Sequence, residues 1–270
     1  MAATHDILLL HGLAAEATPR RRARLRSMTG AEEEGCVAAA EQGLPVRVAL
    51  SRLIAGCVER LGDAPIAEED AEALSIGDRE TLALAIRAAS FAGPMRARLA
   101  CTACGEALDL ALGPRELLAP ATPAAPRLEL GGVRLAFRPV TARDQAAVAD
   151  LAGEEAAGAA MLSRCVTIED DGDITALPRP AQEATAAHLL ALDPMAETLL
   201  SCVCPACGAV VEGSLDAGAF LVEEIARRGP ALAREVLLIA RATGWGEQAI
   251  LAMPRQRRLR YAALLGGEAP

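Results

Sequence analysis

Two copies of one short pattern constrain this chain more than anything else in it. Cys101-Thr102-Ala103-Cys104-Gly105 and Cys204-Pro205-Ala206-Cys207-Gly208 are both C-x2-C-G turns, the form of a metal knuckle. The two thiols of such a turn grip an ion from one side, and two turns complete a tetrahedral shell. With Cys101, Cys104, Cys204 and Cys207 as ligands, no position is left for a reacting water. The expected metal is therefore structural, and zinc is the expected ion. The turns lie about a hundred residues apart, whereas ordinary ribbons space them by roughly 15–20 residues. Closing so long a loop costs on the order of 4 kcal/mol, against roughly 10–16 kcal/mol contributed by structural zinc. The metal contribution is the larger, so the intervening chain is expected to be a folded insertion in a split ribbon.

Period two marks strands around both turns. Met95, Ala97 and Leu99 alternate with Arg96 and Arg98, and Leu108, Leu110 and Leu112 share one face. Leu199, Leu200 and Val203 precede the second turn, and Val210, Val211 and Leu215 follow it. At the same offset Leu117 matches Phe220 and Leu118 matches Leu221. The pattern predicts two strand–knuckle–strand hairpins meeting at one ion. Other uses of the thiols fit less well. A thioredoxin-like pair needs a helix N-terminus to lower a thiol pKa, and strand alternation follows Cys104 instead. Iron in a rubredoxin-like site also suits C-P-x-C-G, but three Phe, one Tyr and one Trp are few for the aromatic core expected of that fold. Cys202 stands on the same strand face as Cys204, as a buried neighbour or a competing ligand. Cys36, Cys57 and Cys165 lie in helical patterns, where core packing is the expected role.

The fold class expected from the whole chain is α+β and mainly helical: a split four-cysteine zinc ribbon with helical flanks and an inserted subdomain of a hairpin and helices. Residues 1–30 read as a flexible basic arm. Its run of Arg20, Arg21, Arg22, Arg24 and Arg26 is either a solvated segment or a docking arm for an acidic partner. Residues 31–112 read as N-terminal helices followed by the first knuckle. Within them Ser75 to Asp78 resembles a capping box, with Ser75 as cap and Asp78 reaching back. Residues 113–126 contain Pro114, Pro120, Pro123 and Pro126 and read as a linker. Residues 127–194 form the insert. It opens with a hairpin turning at Gly131-Gly132, continues in helices around Gln145–Leu151, Ala157–Val166 and Ala181–Leu192, and carries an acidic turn at Asp170–Asp173. Residues 195–270 hold the second knuckle and the C-terminal helices. Gly244 stops one of these, and Arg255, Arg257, Arg258 and Arg260 are expected on a solvated face.

Composition removes several classes of function. Apolar residues make up 52% of the chain, enough for a real core, and the net charge of −9 argues against bulk binding to nucleic acid or anionic membrane. No apolar run reaches the roughly 18 residues of a membrane span, and Ile7 to Leu10 is too short for a secretory signal. With reduced thiolates, this points to the bacterial cytoplasm. No Walker loop, dinucleotide fingerprint, nucleophile elbow or H-E-x-x-H is present. The histidines are His5, His11 and His188, and none sits in a catalytic constellation. A non-enzymatic protein is expected. The rival reading, a zinc-ribbon nucleic-acid or transcription adaptor, draws on the two arginine clusters but lacks stacking aromatics.

Four stretches carry a family resemblance: Leu74-Ser75-Ile76-Gly77-Asp78-Arg79-Glu80 with Leu82, Leu84 and Arg87; Cys101 to Gly105; Cys204 to Gly208; and Glu235 to Ala240, running through Gly244-Trp245 to Ile250, Leu251, Arg257, Arg258 and Tyr261. In these the chain resembles the baseplate-assembly proteins of contractile-tailed (T-even-like) phages and phage-tail-like contractile injection systems. It departs from the family tail at Leu237, where histidine is common, and at Thr243, where tyrosine is. The resemblance covers residues 30–112 and 195–265 best. It implies a non-enzymatic assembly factor (chaperone) or minor structural component of the baseplate hub. The implied partners are baseplate or tail hub and tube proteins, with incorporation into a phage-like particle as one outcome.

Overall fold

Alternation in Arg22-Ala23-Arg24-Leu25 makes the basic run a strand, which corrects the expectation of a flexible arm. The computed structural model describes residues 4–14, 18–118, 122–169 and 172–266. In it β1 (Thr4–Leu13), β2 (Arg20–Arg26) and β3 (Val58–Leu61) form an antiparallel sheet in that order. Leu9, Ala23, Leu25 and Leu61 are wholly buried, while Arg22 and Arg24 face solvent. Each buried apolar side chain contributes roughly 1.5–3 kcal/mol, which outweighs the solubility of the arginines between them.

The sheet packs on α1 (Gly30–Glu41), α2 (Val46–Cys57), α3 (Glu68–Ala73) and α4 (Ile76–Ser90). Leu50, Leu53, Ile54, Cys57, Leu82 and Ile86 fill the main core, joined by Leu221 and Ile225 from the C-terminal half. Helix α4 is the joint of the molecule. Ser75 Oγ accepts the Asp78 N–H at 3.1 Å, as a cap should. Asp78 does not complete the box. Its carboxylate instead accepts the N–H groups of Leu10, His11 and Gly12 at 2.7, 3.1 and 2.6 Å. The register slip of β1 against β2 between Leu8 and Leu13 leaves those N–H groups without strand partners, and a buried carboxylate satisfies them. Next to it, the Gly77 N–H donates to Asp193 Oδ2 at 2.8 Å. Arg79 donates to Ser51 Oγ and to the carbonyls of Ala71 and Arg47. Glu80 accepts the N–H groups of Ala217 and Gly218. Four consecutive residues thus hold four different parts of the chain.

The first hairpin is β4 (Met95–Ala100) and β5 (Ala107–Leu112), paired from Met95↔Leu112 to Ala100↔Ala107. Of the proline-rich segment, Pro120 lies outside the described residues. Its later part is tied down, since the Ala124 N–H donates to Ala191 O and His188 Nε2 meets Ala125 O at 2.8 Å. The insert contains β6 (Arg127–Leu130), β7 (Val133–Phe137), α5 (Ala142–Val148), α6 (Glu154–Cys165), β8 (Val166–Ile168) and α7 (Arg179–Leu192). It has its own core of Leu135, Phe137, Leu162, Cys165, Val166 and Leu189. Strand β8 is unanticipated: the helix expected to reach Val166 stops at Cys165, and the β-branched residues beyond it pair with β7. Asp170 and Asp171 of the acidic turn lie outside the described residues.

The second hairpin, β9 (Thr198–Val203) and β10 (Val210–Leu215), leads into α8 (Ala217–Ala226), α9 (Gly229–Thr243), α10 (Glu247–Leu251) and α11 (Arg255–Gly266). Gly244 ends α9 in the left-handed conformation. The arginines of α11 are only partly a solvated face. Arg257 and Arg260 are exposed, but Arg255 and Arg258 are buried against Glu33 of α1, with Glu235 of α9 on Arg258. Spacing explains the split, because residues three apart share a helix face.

Candidate metal centre

Each cysteine pair sits at the tip of its hairpin and is built the same way. In the first, the Gly105 N–H donates to Cys101 O and the Cys101 N–H to Glu106 O, both at 2.8 Å. In the second, the Gly208 N–H donates to Cys204 O at 2.9 Å and the Cys204 N–H to Ala209 O at 2.8 Å. Gly105 and Gly208 have φ of 78° and 75°, a region costly to a residue with a Cβ, and this lets the chain double back behind the second thiol.

The two tips face one another. Cys101 Sγ lies 3.7 Å from Cys207 Sγ, and Cys104 Sγ lies 3.7 Å from Cys204 Sγ. All four sulfurs are within 4.8 Å of each other. A tetrahedron with sulfurs about 2.3 Å from its centre has edges of about 3.8 Å, so the spacing suits one tetrahedral thiophilic ion. Cys101 and Cys204 are buried and Cys104 and Cys207 exposed, so one pair faces the protein and the other faces solvent. Beneath the buried pair, Leu108 and Val211 form a small apolar floor with Leu99 and Cys202 packed against it. Cys202 belongs to that floor and is not in the four-sulfur group. The hairpins touch closely here: a Cβ on Gly213 would stand 2.7 Å from Leu99 Cδ2.

The backbone favours thiolate at the inner position. The N–H groups of Cys104 and Ala103 hydrogen-bond to the Cys101 sulfur and hold its thiol down at about 7. Cys104 behaves oppositely. The Glu106 N–H lowers it, but the sulfur of Cys207, desolvation, and the sulfurs of Cys101 and Cys204 push it up to about 12. A cation held there by thiolates would displace the Cys104 proton. The remaining thiols differ in kind. Burial pushes Cys36 up to about 12 and Cys165 up to about 11, and raises Cys57 as well, as expected of inert core thiols.

Each knuckle leads into a strand, not a helix, so neither has the helix N-terminus of a redox pair. Two of the histidines have structural surroundings: His188 stacks near Phe137 at 4.5 Å between ring centres, and His11 Nε2 meets Leu192 O at 3.1 Å. The buried carboxylates Glu33, Asp78, Glu80 and Asp144 are all bound to guanidinium or backbone N–H groups. Sequence reading missed these roles: the partners of Glu33, Asp78 and Glu80 are distant in the chain, Asp78 was read only as part of a capping box, and Asp144 was not singled out although its partners Thr141 and Arg138 are close in sequence. Among the described residues no helix is long and apolar enough to cross a membrane.

No curated protein and no solved structure matches the chain. A family match runs over residues 14–216, through β2, the α4 motif, both cysteine hairpins and the insert between them, and stops short of α8. On that match, which spans most of its length, the chain belongs to the T4 bacteriophage base plate protein family.

Proposed function

We propose that this protein is an assembly factor or minor structural component of a phage-like contractile-tail baseplate hub, acting by protein–protein binding without bond chemistry. Family membership ties the chain to the phage baseplate. The observation that carries the mechanism is the convergence of Cys101, Cys104, Cys204 and Cys207 from hairpins far apart in sequence. We assign these four as the ligands of one structural zinc ion, closing a split ribbon. Such an ion would fix the two hairpins to one another. Through Leu84, Met95, Leu200 and Leu215, which share a core, it would also fix their relation to α4. Partner surface remains on the outer side of the second hairpin, where Leu199, Val203 and Val210 are exposed, and at Leu237 on α9. The partners are baseplate or tail hub and tube proteins.

Metal analysis of the purified chain tests the centre: about one zinc per chain is expected, and an iron-rich, red preparation would overturn the zinc assignment. Affinity capture of the tagged chain from cells assembling particles tests the role. Tail proteins should co-purify, and mass spectrometry of mature particles then separates a transient chaperone from a retained component. Absence of tail proteins from the assembling-cell sample, with steeply salt-dependent DNA binding in their place, would overturn the proposal.

A further inference from the structure

Helix α11 turns two sets of arginines in opposite directions. Arg255 and Arg258 go inward and are neutralised by Glu33 and Glu235. Arg257 and Arg260 go outward, on the stripe that also carries Tyr261 and Leu264, into a cleft of about 900 Å³. The far wall brings Arg115, from the turn after β5, and His5 from β1. Among the described residues no aspartate or glutamate lines this cleft. Among the described residues no ion pair engages Arg115, Arg257 or Arg260, and all three are exposed. Arg257 lies over the Tyr261 ring at 5.8 Å, and Leu264 is 78% exposed. This is a cationic wall with an apolar floor in a chain whose net charge is −9.

From this we propose that the cleft receives a carboxylate-rich segment of a partner protein, its acidic side chains on Arg115, Arg257 and Arg260 and an apolar side chain on Tyr261 and Leu264. The planar guanidinium fork matches a carboxylate in bidentate geometry. The volume is at the upper end for a small-molecule pocket, so it has room for several residues of extended peptide. A nucleic acid strand fits less well. Beyond the cleft it would run along a negatively charged molecule, and among the described residues the cleft wall offers a base only the Tyr261 ring and the His5 imidazole. The inference takes from the proposed function only that the partner is a protein, and it makes no use of the cysteine centre.

The test is fluorescence anisotropy of a labelled oligo-glutamate peptide containing one leucine, titrated with the full chain. Saturable binding that weakens with added salt is expected. The double variant Arg257→Glu/Arg260→Glu should lose affinity by about tenfold or more, and Arg115→Glu on the opposite wall should lose in the same sense. Arg234→Glu, exposed on α9 outside the cleft, should bind as the parent does. Because the substituted side chains are exposed, unchanged melting curves separate loss of binding from loss of fold. No saturable binding by the parent, parental affinity in the Arg257→Glu/Arg260→Glu double variant and in Arg115→Glu, or tighter binding of oligo-dT of matched charge would each overturn the proposal. Co-purification of tail proteins without peptide binding would overturn this inference alone.

Discussion

Arg258 has no side-chain exposure, yet carries a full charge between Glu33 and Glu235. Removing Glu33 would leave Arg258 with Glu235 alone and the buried Arg255 with no carboxylate. Glu33→Ala strips a carboxylate from Arg258 and Arg255 together, and should cost about 3–5 kcal/mol. Denaturant unfolding reads this directly, with the exposed Arg257→Ala as a near-silent control. The sequence around Arg258 shows a cluster of arginines but not which of them turn inward. That depends on a glutamate in α1, more than two hundred positions earlier. The cysteines are the contrary case. C-x2-C-G is local chemistry, so the two turns could be picked out residue by residue, and the glycine after each is left-handed in the structure. That the pairs would meet is a tertiary fact, and only their identical form hinted at it.

At the scale of elements, helix α4 was readable because its cap, its period and its apolar face agree. Strand β2 was misread because charge density was given more weight than its period of two. Strands β3 and β8 have four and three residues, too few for any period, and their neighbours in the sheets select them. The contact between α4 and α8 makes a pH-dependent prediction. Glu80 is buried where α8 begins. Desolvation and then the Asp216 carboxylate raise it to about 7, against the lowering effect of the Ala217 and Gly218 N–H groups. The folded chain therefore holds a proton that the unfolded chain gives up near 4.5. Stability should fall as pH rises from about 4.5 to about 7 and then level off. Denaturant titrations across that window should show the slope, and Glu80→Gln, which cannot ionise, should flatten it.

For the molecule as a whole, three bodies of apolar packing matter: the main core under the first sheet, the insert's own core, and the smaller clusters that back the two cysteine hairpins. Only the last adjoins the four clustered sulfurs. Cys104→Ser or Cys207→Ser should therefore abolish metal uptake and speed amide exchange in β4, β5, β9 and β10 together, while α1 and α2 keep their protection. Faster exchange in one hairpin alone would mean that the two are not clasped by a shared ion. The composition of the insert gave its helices, but its attachment was not readable. Asp193 at its end reaches the Gly77 N–H, and a Cβ at Gly77 would stand 2.1 Å from Asp193 Oδ1.

The distance in sequence between the two knuckles also sets an order of events during synthesis. At roughly 5–20 residues per second, about 5–20 seconds separate the emergence of the first thiol pair from that of the second. For that interval the nascent chain presents Cys101 and Cys104 at the tip of a hairpin with nothing opposite them, open to oxidants, foreign cysteines and stray ions. The site is therefore most vulnerable on the ribosome, and a cell that makes this protein must keep those sulfurs reduced until Cys204 and Cys207 arrive.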